Sequence, residues 1–250
     1  MARRLQGFLI VVATIAAVSL AHAQSIKGQG LTLAAPERPV HVTLFKAPGD
    51  APRPKLLLLH GAGGFGRQLA NYNRFGSDLA QAGFDAYLVY YYSDADQRSM
   101  DAGQDVFETR YTAWAKLVDD LADSLAKQKD SNGRVGLIGF SNGAILASGA
   151  SGLDANIGAA VIYYGAEPWP LKTPIKHWPP LLILHGDADQ VINVSAGKEL
   201  ATAAKRLGGP VELVIYSGES HGFAVRPDDK NATDAQKRAL AFLKQNLQAK

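Results

Sequence analysis

The sequence predicts an α/β protein built on a mostly parallel, doubly wound sheet with helices on both faces. Short aliphatic runs at 56–59, 135–140, 159–164 and 180–184 suit strands buried on both sides. Stretches with apolar residues at helical spacing lie between most of them, and the connections are short, so each strand–helix–strand passage returns to the same sheet. In sheets of this kind ligands bind beyond the carboxyl ends of the strands. Chemistry is therefore sought in the residues that follow each strand.

In chain order, residues 40–46 alternate like an edge strand, whereas 56–59 are continuously aliphatic and mark the start of the sheet interior. The proline- and glycine-rich stretch 47–54 reads as a hairpin or connecting loop rather than a domain linker. A helix over about 69–81 stops at Gly83, and 85–91 is strand-like. Between 106 and 127, Phe107, Tyr111, Trp114, Val118, Leu121 and Leu125 recur at helical spacing, an aromatic stripe suited to a core rather than to a ligand. The remaining pattern is strand 134–140, helix 142–150, strand 159–164, strand 180–184, helix 195–207, strand 211–216 and a helix from about 233. Thr233 and Gln236 have the spacing of a capping box for that last helix.

The first residues have the form of an export signal: Arg3 and Arg4, an apolar segment over 8–20, and Ala21-His22-Ala23 as a cleavage site. Thirteen apolar residues fall short of the roughly 20 a membrane-spanning helix needs. The expected mature chain starts at Gln24, in the periplasm or outside the cell, with no stable membrane anchor. Gln6 and Gly7 interrupt the pattern of twin-arginine export. The 227 residues from 24 to 250 suit one domain, with 24 basic against 23 acidic side chains. That balance gives no electrostatic case for nucleic acid or anionic membranes. The chain has no cysteine, which excludes disulfides, a thiol nucleophile and thiolate metal ligands.

The most informative segment is Gly139-Phe140-Ser141-Asn142-Gly143, between an apolar run and a small-residue apolar stretch. Strand, sharp turn and helix push the serine hydroxyl out of the sheet top, and the two glycines let strand and helix approach. The helix N-terminus beside it favours an oxyanion. The competing reading is a structural turn that happens to be bounded by glycines.

A serine hydroxyl needs a neutral imidazole to take its proton and a carboxylate to hold the imidazole's tautomer. His22 leaves with the signal, His41 lies on the first strand, and His60 and His185 precede glycines at strand ends. His221 lies on the loop between the last strand and the last helix and has the freedom to reach Ser141. After strand 180–184, Asp187 and Asp189 compete for the carboxylate. Asp187 suits a turn bonding its own backbone, so Asp189 is favoured. The order Ser141, Asp189, His221 is that of α/β-hydrolases. Oxyanion donors are expected to be the backbone N–H of Asn142 and one from His60-Gly61-Ala62-Gly63-Gly64, best placed at Ala62. His60 itself is expected to brace that loop. A rival reading takes Gly61, Gly63 and Gly66 as a dinucleotide fingerprint, but no acidic residue follows the next strand until Asp94. His185 and Asp187 form no recognisable metal cluster.

Together these segments, with Tyr163-Tyr164-Gly165, His185-Gly186-Asp187-Ala188-Asp189 and Ser220-His221-Gly222-Phe223, resemble the dienelactone hydrolase family over residues 55–226. The resemblance implies an α/β-hydrolase fold, a Ser141, Asp189, His221 triad and hydrolysis of an ester or lactone without a cofactor. The namesake enzymes use cysteine where Ser141 stands and glutamate where Gly61 stands, so their activation of a thiol does not carry over. They hold a substrate carboxylate with arginine just after the histidine; here Val225 takes the nearest spacing and Arg226 follows. Only 165–179 separate two strands where this fold often inserts a helical cap, so no large cap domain is expected. Trp169 and Trp178 either line an open site or anchor that loop. The expected substrate is a small carboxylic ester or lactone. The alternatives are a peptidase of the same fold and a non-catalytic exported binding protein.

Overall fold

The computed structural model describes residues 25–153, 156–226 and 228–248. The expected export signal lies outside them. Eight strands form one sheet: β1 (Gln29–Leu33), β2 (Val40–Phe45), β3 (Arg53–Leu59), β4 (Asp85–Val89), β5 (Ser131–Phe140), β6 (Ile157–Tyr163), β7 (Leu181–Gly186) and β8 (Val211–Tyr216), in spatial order β1-β2-β4-β3-β5-β6-β7-β8. β1–β2 and β2–β4 pair antiparallel; every pair from β4 to β8 is parallel. The helices are α1 (Leu69–Gln81), α2 (Asp94–Asp101), α3 (Phe107–Ala126), α4 (Asn142–Leu153), α5 (Val194–Arg206) and α6 (Lys230–Leu247).

Side-chain alternation along the strands divides the core into two layers. Leu57, Leu59 and Leu137 face Trp114 and Val118 of α3, Ile145 of α4 and Leu200 of α5. Leu56, Leu58 and Ile138 face Phe75 and Leu79 of α1 and Phe242 and Leu243 of α6. Both faces of the central strands are covered, which is why these strands read as continuous aliphatic runs. The aromatic stripe of α3 is core as expected: Tyr111 and Trp114 are buried, and Tyr111 Oη donates to Ile145 O at 2.8 Å.

Four local features differ from the sequence reading. β1 and α2 were not anticipated, being short, polar elements at the sheet's antiparallel edge. α2 carries a complete capping box, Ser93 with Asp96. α6 begins at Lys230 rather than near 233, because Asp229 caps it, its Oδ1 accepting from Asn231 N at 2.8 Å and Ala232 N at 2.9 Å. Thr233 Oγ1 donates to Asp229 O, and Gln236 reaches Asp78, so the expected box does not form.

β3 also starts three residues before the aliphatic run and carries a fully buried Lys55, whose Nζ lies 2.7 Å from Asp85 Oδ2 and 2.8 Å from Asp130 Oδ1. Removing Asp85 leaves the buried ammonium with only the part-exposed Asp130 and orphans the Ala47 N–H, which donates to Asp85 Oδ1 at 2.9 Å. Asp85→Ala is therefore expected to cost about 2–4 kcal/mol in urea unfolding; a loss under about 1 kcal/mol, the size of a surface pair, would contradict this account.

Candidate active site

β5 ends at Phe140, α4 begins at Asn142, and Ser141 makes the turn between them with φ of 57°. A β-carbon-bearing residue at that φ is strained, and such strain persists where the surrounding structure fixes the turn. A Cβ on Gly139 would run into Gly143 O and Cα of Ala144, and one on Gly143 into the carbonyls of Leu59 and His60. The two glycines of the pentapeptide are thus required by close backbone approach. Ser141 N donates to Tyr163 O at 3.1 Å, tying the turn to β6. The first N–H groups of α4, beginning at Asn142, have no carbonyl one turn upstream within the helix.

Three side chains remote in sequence meet here. His221 Nε2 lies 2.9 Å from Ser141 Oγ, and His221 Nδ1 lies 2.7 Å from Asp189 Oδ2. A carboxylate accepts only, so Nδ1 carries the proton and Nε2 presents its lone pair to the serine hydroxyl. Asp189 is 2% exposed, and its Oδ1 accepts from Val191 N at 2.8 Å and Ile192 N at 2.9 Å. The histidine loop turns on Gly222, at φ of 78°. Its ring packs against Tyr164, centroids 4.8 Å apart, itself at a positive φ of 41°. Asp187 is exposed and accepts from Gly218 N at 2.6 Å, a turn-forming role that spans two loops rather than its own backbone.

His60 is buried and braces the glycine loop: Nδ1 donates to Gly61 O at 2.8 Å, and the ring stacks on Tyr91 at 4.1 Å. Tyr91 Oη donates to His60 O at 2.8 Å. Gly64 N closes the turn onto Gly61 O at 3.1 Å, with Ala62 inside it, and a Cβ on Gly61 would lie 3.3 Å from Ser141 Cβ. The loop therefore stands beside the serine.

Burial lowers the His60 pKa to about 4, so the folded ring stays neutral where an exposed histidine, near 6.5, takes a proton. Above pH 6.5 this contribution to stability is fully present; as pH falls toward 4 the unfolded chain binds a proton that the folded one refuses, and on the order of 3 kcal/mol is lost. The urea midpoint is expected to fall more between pH 7 and pH 5 for the native chain than for His60→Asn. Equal falls would contradict the assignment.

Of the residues considered for substrate contact, Trp178 is buried and donates from Nε1 to Ser148 O at 2.8 Å, anchoring the 165–179 loop to α4. Trp169 is 56% exposed, with Nε1 3.2 Å from Glu108 Oε1. The two tryptophans share a groove with Leu171 and Ile175 that none of the three triad-position residues lines. Arg226 is engaged with Glu219 at 3.0 Å, Asp229 at 3.3 Å and Ser220 Oγ at 2.9 Å. A cleft of about 630 Å³ opens beside the glycine loop, above the carboxyl end of β4, lined by Arg38, His60, Phe65, Tyr90, Tyr92 and Gln97 among others; like the tryptophan groove, it is lined by none of the three triad-position residues. Arg38, between β1 and β2, and Gln97, on α2, belong to parts of the chain that carry little apolar patterning.

The dienelactone hydrolase family model matches residues 42–248. A protein named usf from Aquifex pyrophilus is 27% identical over 207 residues, covering 78% of this chain and 89% of that protein. Among solved structures, dienelactone hydrolase from Anabaena variabilis superposes with a TM-score of 0.72 at 19% identity, covering 90% of this chain and all of that one. The esterase from Pyrobaculum calidifontis gives 0.73 at 17% identity, covering 89% and 86%. Acylaminoacyl peptidase from Pyrococcus horikoshii gives 0.72 at 14% identity, covering 91% of this chain but only 43% of the peptidase. At these identities the structural likenesses establish the α/β-hydrolase architecture, and the family match over most of the sequence does more: this chain belongs to the dienelactone hydrolase family, and is a hydrolase of that family.

Proposed function

We propose that the protein is an exported serine hydrolase that cleaves small carboxylic esters or lactones through an acyl-enzyme. The observation that carries this reading is the hydrogen-bonded run from Ser141 Oγ through His221 to the buried carboxylate of Asp189. As Oγ attacks the carbonyl carbon, its proton passes to His221 Nε2, and Asp189 stabilises the resulting imidazolium. The backbone N–H groups of Asn142 and Ala62 are the donors for the tetrahedral oxyanion. Collapse expels the alkoxide, which takes the proton from His221. Water then attacks the acyl-enzyme with the same base, releasing acid and free Ser141. No cofactor enters this cycle.

The 165–179 segment contains no helix that would roof the site, which favours small or exposed esters over long acyl chains. With Arg226 tied into ion pairs, a carboxylate-bearing dienelactone lacks the arginine contact its hydrolases use. Export rests on residues 1–23, and the mature protein would work in the periplasm or outside the cell.

A panel of p-nitrophenyl esters of increasing acyl length, simple lactones and blocked peptide amides tests the reading. Turnover of acetyl and butyryl esters or lactones, with little for long chains or peptides, is the expected result. Preference for peptide amides would favour a peptidase of the same fold, and inertness toward all three would favour a binding protein.

A further inference from the structure

A second histidine stands behind the carboxylate. His185, near the end of β7, is fully buried on the face it shares with Ile183, and its Nε2 lies 2.8 Å from Ile192 O and 3.4 Å from Asp189 Oδ2. A carbonyl oxygen only accepts, so Nε2 bears the hydrogen. That hydrogen bonds to Ile192, and its positive end also faces the oxygen of Asp189 that holds His221. Burial disfavours the charged ring, lowering its pKa, so His185 stays neutral with a bare lone pair on Nδ1. Nδ1 is buried without a hydrogen-bond partner, and a Cβ at position 197 would lie 2.7 Å from it; glycine at the start of α5 makes room for the ring.

An apolar side chain would fill this space without orphaning a nitrogen, and an unsatisfied buried polar atom is costly. What the imidazole supplies is a rigid N–H aimed at the turn 189–192. That turn wraps Asp189: its Val191 and Ile192 N–H groups hold Oδ1, while the Ile192 carbonyl is held by His185. The Ile192 end of the turn is thereby tied to β7, and Oδ2 is left facing His221.

We propose that His185 is a positioning residue for the hydrolytic site, a neutral imidazole that locks the 189–192 turn so that the Asp189 carboxylate stays on His221 Nδ1. It rests on the serine hydrolase reading for its consequence in rate, but its geometric content does not.

The test uses the mature protein with His185→Leu, which removes the donor, His185→Gln, which restores an N–H near the Nε2 position, and Gly197→Ala, which displaces the ring without changing a polar group. With folding verified by circular dichroism, His185→Leu is expected to lower kcat by about tenfold, the weight of one ordinary hydrogen bond, while KM changes by less than about twofold. The low-field proton resonance of His221 Nδ1–H should broaden or vanish. His185→Gln should recover most of both, and Gly197→Ala should shift both in the direction of the leucine variant. Unchanged kcat and an unchanged resonance in His185→Leu, or in Gly197→Ala should the leucine variant fail to fold, would reduce His185 to a core residue and overturn the proposal. Absence of turnover in the wild type would instead overturn the hydrolase reading, and the resonance would still decide the role of His185.

Discussion

Ser141→Ala is expected to reduce kcat on a small p-nitrophenyl ester by about 10⁶-fold, because it removes the atom that forms the covalent bond and leaves only binding and the oxyanion donors. KM should change little. The backbone supplies a control. Residue 141 sits at φ of 57°, which costs any residue with a β-carbon on the order of 1–3 kcal/mol. Alanine keeps that strain and glycine relieves it. Ser141→Gly should therefore be as inactive as Ser141→Ala yet more stable than the wild type by about 1 kcal/mol in urea unfolding. Equal stability of the two variants would mean that the turn stores no strain. Full activity in either would remove Ser141 from the mechanism.

The second large effect separates two aspartates two residues apart. Asp189→Asn is expected to lower kcat by up to about 10⁴-fold. Its reason is directional: Oδ1 of Asp189 is engaged by the Val191 and Ile192 N–H groups, so an amide there keeps its oxygen in that position and turns its NH₂ toward His221. His221 Nδ1 must then accept, the ring proton moves to Nε2, and the imidazole can no longer take the serine proton. Asp187→Asn touches only the Gly218 N–H on an exposed turn and should leave kcat within about threefold, at a stability cost of about 1 kcal/mol. If the Asp187 variant loses more activity than the Asp189 variant, the roles of the two carboxylates are reversed.

The legible and illegible parts of this molecule differ for physical reasons. Strands β3 to β7 were readable because burial on both faces forces aliphatic runs such as 56–59 and 135–140. The turn at Ser141 was readable because only glycine fits at positions 139 and 143. β1 and α2 escaped notice because they lie at the exposed edge, where little apolar burial shapes the sequence. The start of α6 was misread because two capping patterns overlap, and Asp229 satisfies two N–H groups at once. Sequence order named Asp189 and His221 as plausible partners, but their distances depend on how the loops after β7 and β8 tie together: Ala188 N to Glu219 O at 3.0 Å, and Gly218 N to Asp187. No local pattern encodes that contact. The same holds for His185, whose part emerges only when the turn 189–192 is seen folded back over it.

Treating the purified mature protein with a fluorophosphonate and locating the adduct by peptide mass spectrometry tests the central claim most directly. The account requires a single phosphonyl group on Ser141, formed rapidly by the wild type, slowly by Asp189→Asn and not at all by Ser141→Ala. A folded wild-type protein that stays unlabelled, or one that carries the adduct on another residue, would contradict it.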